Sequence, residues 1–111
     1  HGDSALVSQL YHERQIEAVA VPQLATFDAG VQFARAEGIV PAPESCHAIR
    51  AAIDEALKCK ATGEPKVILF HLTGHGHFDM AAYDRYFSGQ LEDYAYPAEA
   101  IAASLEHLPK F

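Results

Sequence analysis

Ten residues, HLTGHGHFDM (71–80), bring three histidines, two glycines, a threonine and an aspartate together directly after the apolar run KVILF. These types in that spacing admit three chemistries: a metal centre, a phosphate cradle, or the rim of a pocket for some other ligand. A metal would draw on His71, His75, His77 and Asp79, since imidazole and carboxylate suit zinc. His71 and His75 are four apart, but across a strand-to-loop junction and not on one helical face. No second cluster supplies the remaining ligands. A phosphate site would rest on Gly74-His75-Gly76 alone, with neither the six-position dinucleotide fingerprint nor a P-loop lysine beside it. Hydrolysis through Ser45, Ser88 or Ser104 has no nucleophile-elbow motif behind it. His1, His12 and His107 read as surface residues, and His47, in the first turn of the longest helix, as structural. A stand-alone module holding a metal or small ligand at 71–79 remains the alternative to any enzymatic reading.

The elements that must position this loop follow from periodicity. Leu6, Val7, Leu10 and Tyr11 fall at helical spacing, with Asp3 or Ser4 able to cap the first turn. IEAVAV (16–21) alternates β-branched residues with alanine and ends at Pro22, which predicts a short strand. Thr26 is placed to cap a helix whose stripe is Phe27, Val31 and Ala34 and which Gly38 stops. IVPAP (39–43) is extended, because each proline keeps its predecessor out of helical space. The longest helix, 44–61, carries Cys46, Ile49, Ile53, Ala56 and Leu57 on one stripe and stacks Arg50, Asp54 and Lys58 on the wet side. Gly63 and Pro65 make the following turn.

KVILFHL (66–72) is apolar throughout, as strands buried on both faces are. Asp79 is placed to cap a helix bearing Tyr83, Tyr86 and Phe87 that ends at Gly89. A last helix starts at Pro97 and presents Ile101, Leu105 and Leu108. Helices alternating with strands in this order predict an α/β fold: a three-layer unit with a small parallel sheet flanked by helices. One domain is expected over 1–111, with a core at 4–96 and a helical tail at 97–111. A strand as apolar as 67–70 needs neighbours, so the chain reads as part of a wider sheet. That sheet would be completed by the rest of a longer protein or by a second copy, and a homo-oligomer is expected. Loops at the carboxyl ends of such strands are where open sheets bind ligands, and 72–79 occupies that place.

Composition narrows the classes. The 111 residues carry a net charge of −7, with half of them hydrophobic. An acidic chain without a Lys/Arg cluster argues against nucleic acid and anionic membrane as partners. No apolar stretch approaches a membrane span, and no signal peptide is recognisable. Cys46 and Cys59 share one helix and lie roughly 20 Å apart along it, beyond disulfide reach. Free thiols fit a reducing cytoplasm.

Two motifs carry a resemblance. AEGIVPAPESCHAI (36–49), followed after one helix by VILFHLTGHGHFD (67–79), resembles the C-terminal part of the tryptophan synthase beta chain family. The family pattern is E-G-I-hydrophobic-P-A-x-E-S-x-H-A, then a strand ending L-S/T-G-x-G. The G-H-G-H-F-D form is similar to the longer beta-like variant, where the commoner form has G-R-G-D-K-D. The resemblance covers residues 4 to about 96 in the family's order. Other pyridoxal phosphate enzymes of the same fold type, such as threonine synthases and serine dehydratases, fit less well because of the E-S-x-H-A element.

The resemblance implies a fold-type II pyridoxal phosphate enzyme that joins L-serine and indole to L-tryptophan by β-replacement. Thr73 would face the pyridine nitrogen of the cofactor, Gly74 would let the backbone turn beside the ring, and Ser45, next to Glu44 in the motif, would also line the cofactor. Glu44 would be the carboxylate that handles protons near cofactor and substrate. Glu44 and Thr73 should then converge on one crevice. A neutral hydroxyl at the ring nitrogen leaves the ring a weaker electron sink and favours loss of the β-substituent. His75 stands where the shorter variant has arginine, which implies a different amine donor such as phosphoserine. The family's cofactor-binding lysine and its glycine- and serine-rich phosphate loop have no match: Lys58, Lys60, Lys66 and Lys110 all lie in other contexts. The chain is expected to be the C-terminal quarter or so of such an enzyme, inactive alone.

Overall fold

The computed structural model describes residues 4–106. Five α-helices run in order: α1 (Ala5–His12), α2 (Gln23–Glu37), α3 (Pro43–Thr62), α4 (Met80–Phe87) and α5 (Ala98–Leu105). A single 3-10 turn, Gly76–Phe78, precedes α4. The expected parallel sheet is absent among the described residues, which form no strand. The correction has a physical cause. A strand exists only through ladder bonds to a neighbour, and neither 16–21 nor 66–72 meets one. Residues 16–20 are exposed throughout. Along the second segment, Ile68 and Phe70 are half-buried while Val67 and Leu69 are 100% and 87% exposed. That period of two is the signature of extended backbone with one covered face and one bare face. Phe70 meets Phe33 of α2 edge-on at 6.0 Å between centroids. The apolar run is therefore covered on one side only.

Packing is concentrated where α2 crosses α3. Phe27, Ala29 and Gly30 of α2 are buried against Cys46 and Ile49 of α3, and Tyr83 of α4 closes the cluster. Phe27 meets the Tyr83 ring edge-on at 5.1 Å and stacks on Tyr86 at 5.6 Å. The α3 stripe is buried only at its start: Leu57 is 53% exposed and Ala56 is open. Arg50 pairs with Asp54 as the spacing predicts, whereas Lys58 turns back to Glu55 at 2.5 Å. Cys46 and Cys59 are free thiols.

Helix ends show which local signals operate. Gly38 and Gly63 take left-handed φ of 72° and 74° after α2 and α3, the conformation that closes a helix most cheaply in glycine. Ser4 caps α1 by accepting from the Val7 amide at 3.2 Å; Asp3, the other candidate, lies outside the described residues, as do His1, His107, Leu108 and Lys110. Thr26 is not the cap of α2. The helix begins a turn earlier, after Pro22, and the Thr26 hydroxyl donates to the Pro22 carbonyl at 3.0 Å. The cap comes instead from Asp93, whose carboxylate accepts from the Leu24 amide at 2.9 Å, while Gln23 donates to the Glu92 carbonyl. Asp79 occupies the cap position of α4 without a side-chain bond to it.

The molecule is open for its length. Its radius of gyration is 16.8 Å, against about 13 Å for a compact chain of this size. Its surface is 9012 Å², about half again the ~6,000 Å² of a compact monomer of equal mass. No described helix is long and apolar enough to cross a membrane.

Two predictions follow from the α2–α3–α4 cluster. A Cβ on Gly30 would lie 2.5 Å from Cys46 Sγ and 3.0 Å from the Tyr83 hydroxyl. Gly30→Ala should destabilise by about 1–3 kcal/mol through overpacking, and denaturant unfolding should recover most of that loss in Gly30→Ala/Cys46→Ala. The second concerns pH. Burial pushes the Cys46 thiol above its ordinary 9.0 and the Tyr83 phenol far above its ordinary 10.0. Both are neutral when folded and ionise more readily when unfolded. The stability they confer is whole below about pH 9 and is lost as pH rises beyond it. The urea midpoint should fall between pH 8 and about pH 11, and less steeply in Cys46→Ala.

Candidate functional site

The residues of both motifs meet on one side of the α3 N-terminus. Pro41 and Ala42 are buried, and Pro43 fixes the first helical position, so α3 starts without a side-chain cap. Opposite them the loop 73–76 runs antiparallel to 40–42. The Gly76 amide donates to the Val40 carbonyl at 2.8 Å, and Pro41 and His75 form an isolated antiparallel bridge. Only glycine fits at 76: a Cβ there would lie 2.5 Å from the Pro41 carbonyl oxygen and 2.8 Å from Val40. Gly74 turns the chain with φ of 75°, a left-handed geometry that other residues rarely adopt. The hollow side of that turn rests on Ala42.

Ser45 joins the two strips. Its hydroxyl donates to the Thr73 carbonyl and accepts from the Thr73 amide at 3.1 Å. Ser45 is 4% exposed, whereas Thr73 is open to solvent. Behind them Tyr83 donates its hydroxyl proton to the Pro41 carbonyl at 2.7 Å. That single proton is then committed, so the Cys46 thiol is the donor toward either the Tyr83 oxygen at 3.5 Å or the Ala42 carbonyl at 3.3 Å. Every buried side-chain nitrogen and oxygen among the described residues has a partner.

Of the residues singled out in the sequence, Ser45, Thr73 and Gly74 therefore come together. Glu44 is their neighbour along α3 and is exposed, in a first turn where a carboxylate suits the helix dipole. It lines a hollow of about 230 Å³ with Val21, Gln23, Thr26 and His47, and Thr73 is not among the lining residues. The histidines behave separately. His75 Nδ1 accepts from the His77 amide at 3.3 Å, and its ring lies against those of His77 and Phe78. Among the described residues, no three histidine, cysteine or acidic side chains converge as metal ligands would. His71 is exposed and Asp79 half-buried at the entry to α4. Ser88 bonds back to Arg85 and Ser104 to Ala100, each within its own helix.

Sequence reasoning placed Tyr83 only on a helical stripe and missed its role as the strut under Pro41. The available signal was chemical: a tyrosine buried to the hydroxyl must find an acceptor. Asp93 was also missed, because a cap supplied from 69 positions away leaves no local pattern.

No family model matches the chain. Curated relatives do. It is 68% identical over 92 residues to the tryptophan synthase beta chain 2 of Methanosarcina mazei, covering 83% of this chain and 21% of the relative. It is 66% identical over 93 residues to that of Aquifex aeolicus, covering 84% and 21%. Against the tryptophan synthase beta chain of Pyrococcus horikoshii the identity is 51% over 94 residues, covering 85% and 20%. The chain thus spans about a fifth of the length of these relatives. With 36–49 and 67–79 mated at the start of α3, and identity at this level along most of its length, the chain belongs to the tryptophan synthase beta chain family, as a segment of its C-terminal part.

Proposed function

We propose that this segment forms one wall of a pyridoxal phosphate site in an enzyme that joins L-serine, or phosphoserine, to indole to give L-tryptophan. The observation that carries the proposal is the fixed Thr73–Gly74 turn: its backbone is held by Ser45, its hydroxyl-bearing residue is exposed, and no Cβ projects at 74. Such a turn suits the edge of a flat heteroaromatic ring, with a neutral hydroxyl at the ring nitrogen, while the absent Cβ at 74 lets the turn seat on Ala42. The donor set therefore fits the cofactor. Thr73 and Gly74 would hold pyridoxal phosphate, which would supply the electron withdrawal needed for loss of the amino acid's β-substituent. Thr73 orients the ring nitrogen without charging it. Glu44, exposed in the first turn of α3 and facing a hollow apart from Thr73, would take up or return a proton at a carboxylate oxygen once the rest of the longer protein closes the two into one crevice. Gly76 and Tyr83 hold the strips together and keep water from beneath the loop.

The remainder of the site belongs to the longer protein. The described lysines support this division. Lys58 and Lys60 sit in the last turns of α3, roughly 20 Å along the helix from Ser45, and Lys58 and Lys66 are taken up by Glu55 and Glu64. The bare row of Val67 and Leu69 offers backbone and side chains for that remainder to cover.

In the full-length enzyme, Thr73→Ala should shift the absorption of the bound cofactor and lower turnover about 10- to 100-fold. Glu44→Gln should cost about 100-fold or more in turnover while leaving cofactor affinity in place. Titrating the cofactor into the isolated 111-residue chain should give neither an absorption shift nor turnover. Unchanged spectra and rates in Thr73→Ala would refute the assignment.

A further inference from the structure

Serine in the first turn of a helix ordinarily bonds to the backbone of its own helix. Ser45 does not. Its buried hydroxyl leaves α3 and spends both its donor and an acceptor position on one residue 28 positions away, the carbonyl and the amide of Thr73. Paired donation and acceptance at a single residue is what a neighbouring β-strand supplies through its backbone. Here one side chain supplies it, in a stretch where no strand is available.

The rest of Thr73 is left with little freedom. Immediately after it, Gly74 turns with φ of 75°, His75 bridges to Pro41, and Gly76 donates to Val40. The chain is thus pinned at 73 by Ser45 and again at 75–76 by the strip before α3. Along 73–76 Gly76 is buried, while the Thr73 side chain, next to its pinned backbone, is open to solvent, as is that of His75. Removing the Ser45 hydroxyl would leave the second pin intact and free the first. A hydroxyl serves a bound ring only if held to about half an ångström, so the direction of the Thr73 hydroxyl depends on Ser45.

We infer that Ser45 is a positioning residue that acts on the ligand solely through Thr73: it fixes the Thr73 backbone so that the exposed hydroxyl meets the ring nitrogen, and it makes no contact with the ligand itself. This rests on the function proposed above, and it departs from the sequence expectation that Ser45 lines the cofactor.

Two readouts on the full-length enzyme test it. The first is amide exchange without added cofactor. In Ser45→Ala the Thr73 amide should exchange about ten-fold faster, while the Gly76 amide, held by Val40, keeps its wild-type rate. Ser45→Thr, which retains the hydroxyl, should restore protection. No change at Thr73, or an equal rise at both amides, overturns the inference. The second is the absorption of bound pyridoxal phosphate together with kcat and KM. Ser45→Ala should reproduce the spectral shift of Thr73→Ala and lower kcat with KM for indole unchanged. The double variant should be no worse than Thr73→Ala alone, and additive losses would show that Ser45 acts independently and overturn the inference. If Thr73→Ala itself leaves the spectrum unchanged, the proposed function fails, while the exchange rates still decide whether Ser45 holds Thr73.

Discussion

The structure depends on backbone groups that have no sheet to join. Residues 39–42 and 73–76 carry amides and carbonyls that secondary structure would normally consume, and buried polar groups cannot stay unpaired. The molecule meets this with a few cross-links: Gly76 to Val40, Ser45 to Thr73, and Tyr83 to Pro41. Each is individually modest, near 1 kcal/mol net. Together they dock a loop onto a helix start without a ladder. The α2–α3–α4 packing stands behind this junction, and it is the best-buried part of the chain.

That arrangement explains why the two motifs are inseparable. The proline-containing strip supplies carbonyls and the glycine loop supplies amides. A methyl group at 76 would collide with the Pro41 carbonyl. The helix that follows begins with Pro43, Glu44 and Ser45, so a rigid start places a carboxylate and a hydroxyl on successive residues. Successive residues of a helix point about 100° apart, and accordingly Ser45 turns inward to Thr73 while Glu44 lines a different hollow. The shared crevice expected for Glu44 and Thr73 is not closed by residues of this segment.

How much of this was legible depended on whether the cause was local. Gly38 and Gly63 marked helix ends because the left-handed closure is a property of glycine itself. The long helix was readable from its stripe, although that stripe ran further than its cover, as Leu57 shows. Residues 66–72 misled for an instructive reason. Apolar composition reports a preference for burial and not the presence of a neighbour, so it indicated burial where Val67 and Leu69 are bare. The start of α2 was misplaced because Pro22 and the distant Asp93 do the work that Thr26 was expected to do. The resemblance of both motifs to one family set Glu44, Ser45 and Thr73 at one cofactor site, but the bond between Ser45 and Thr73 was not foreseen. Periodicity alone set no distance between them.

The closeness of Gly30 to Cys46 and Tyr83 carries a consequence for sequence drift. Three positions far apart in the chain share a space with no room for one more carbon. None of them can change size alone without a cost, so substitutions there should travel as compensated sets: a bulkier residue at 30 with a smaller one at 46, or with a ring lacking its hydroxyl at 83. The last of these would strip the Pro41 carbonyl of its donor. Accommodation at position 46 is therefore the cheaper route, and divergent relatives should vary there first.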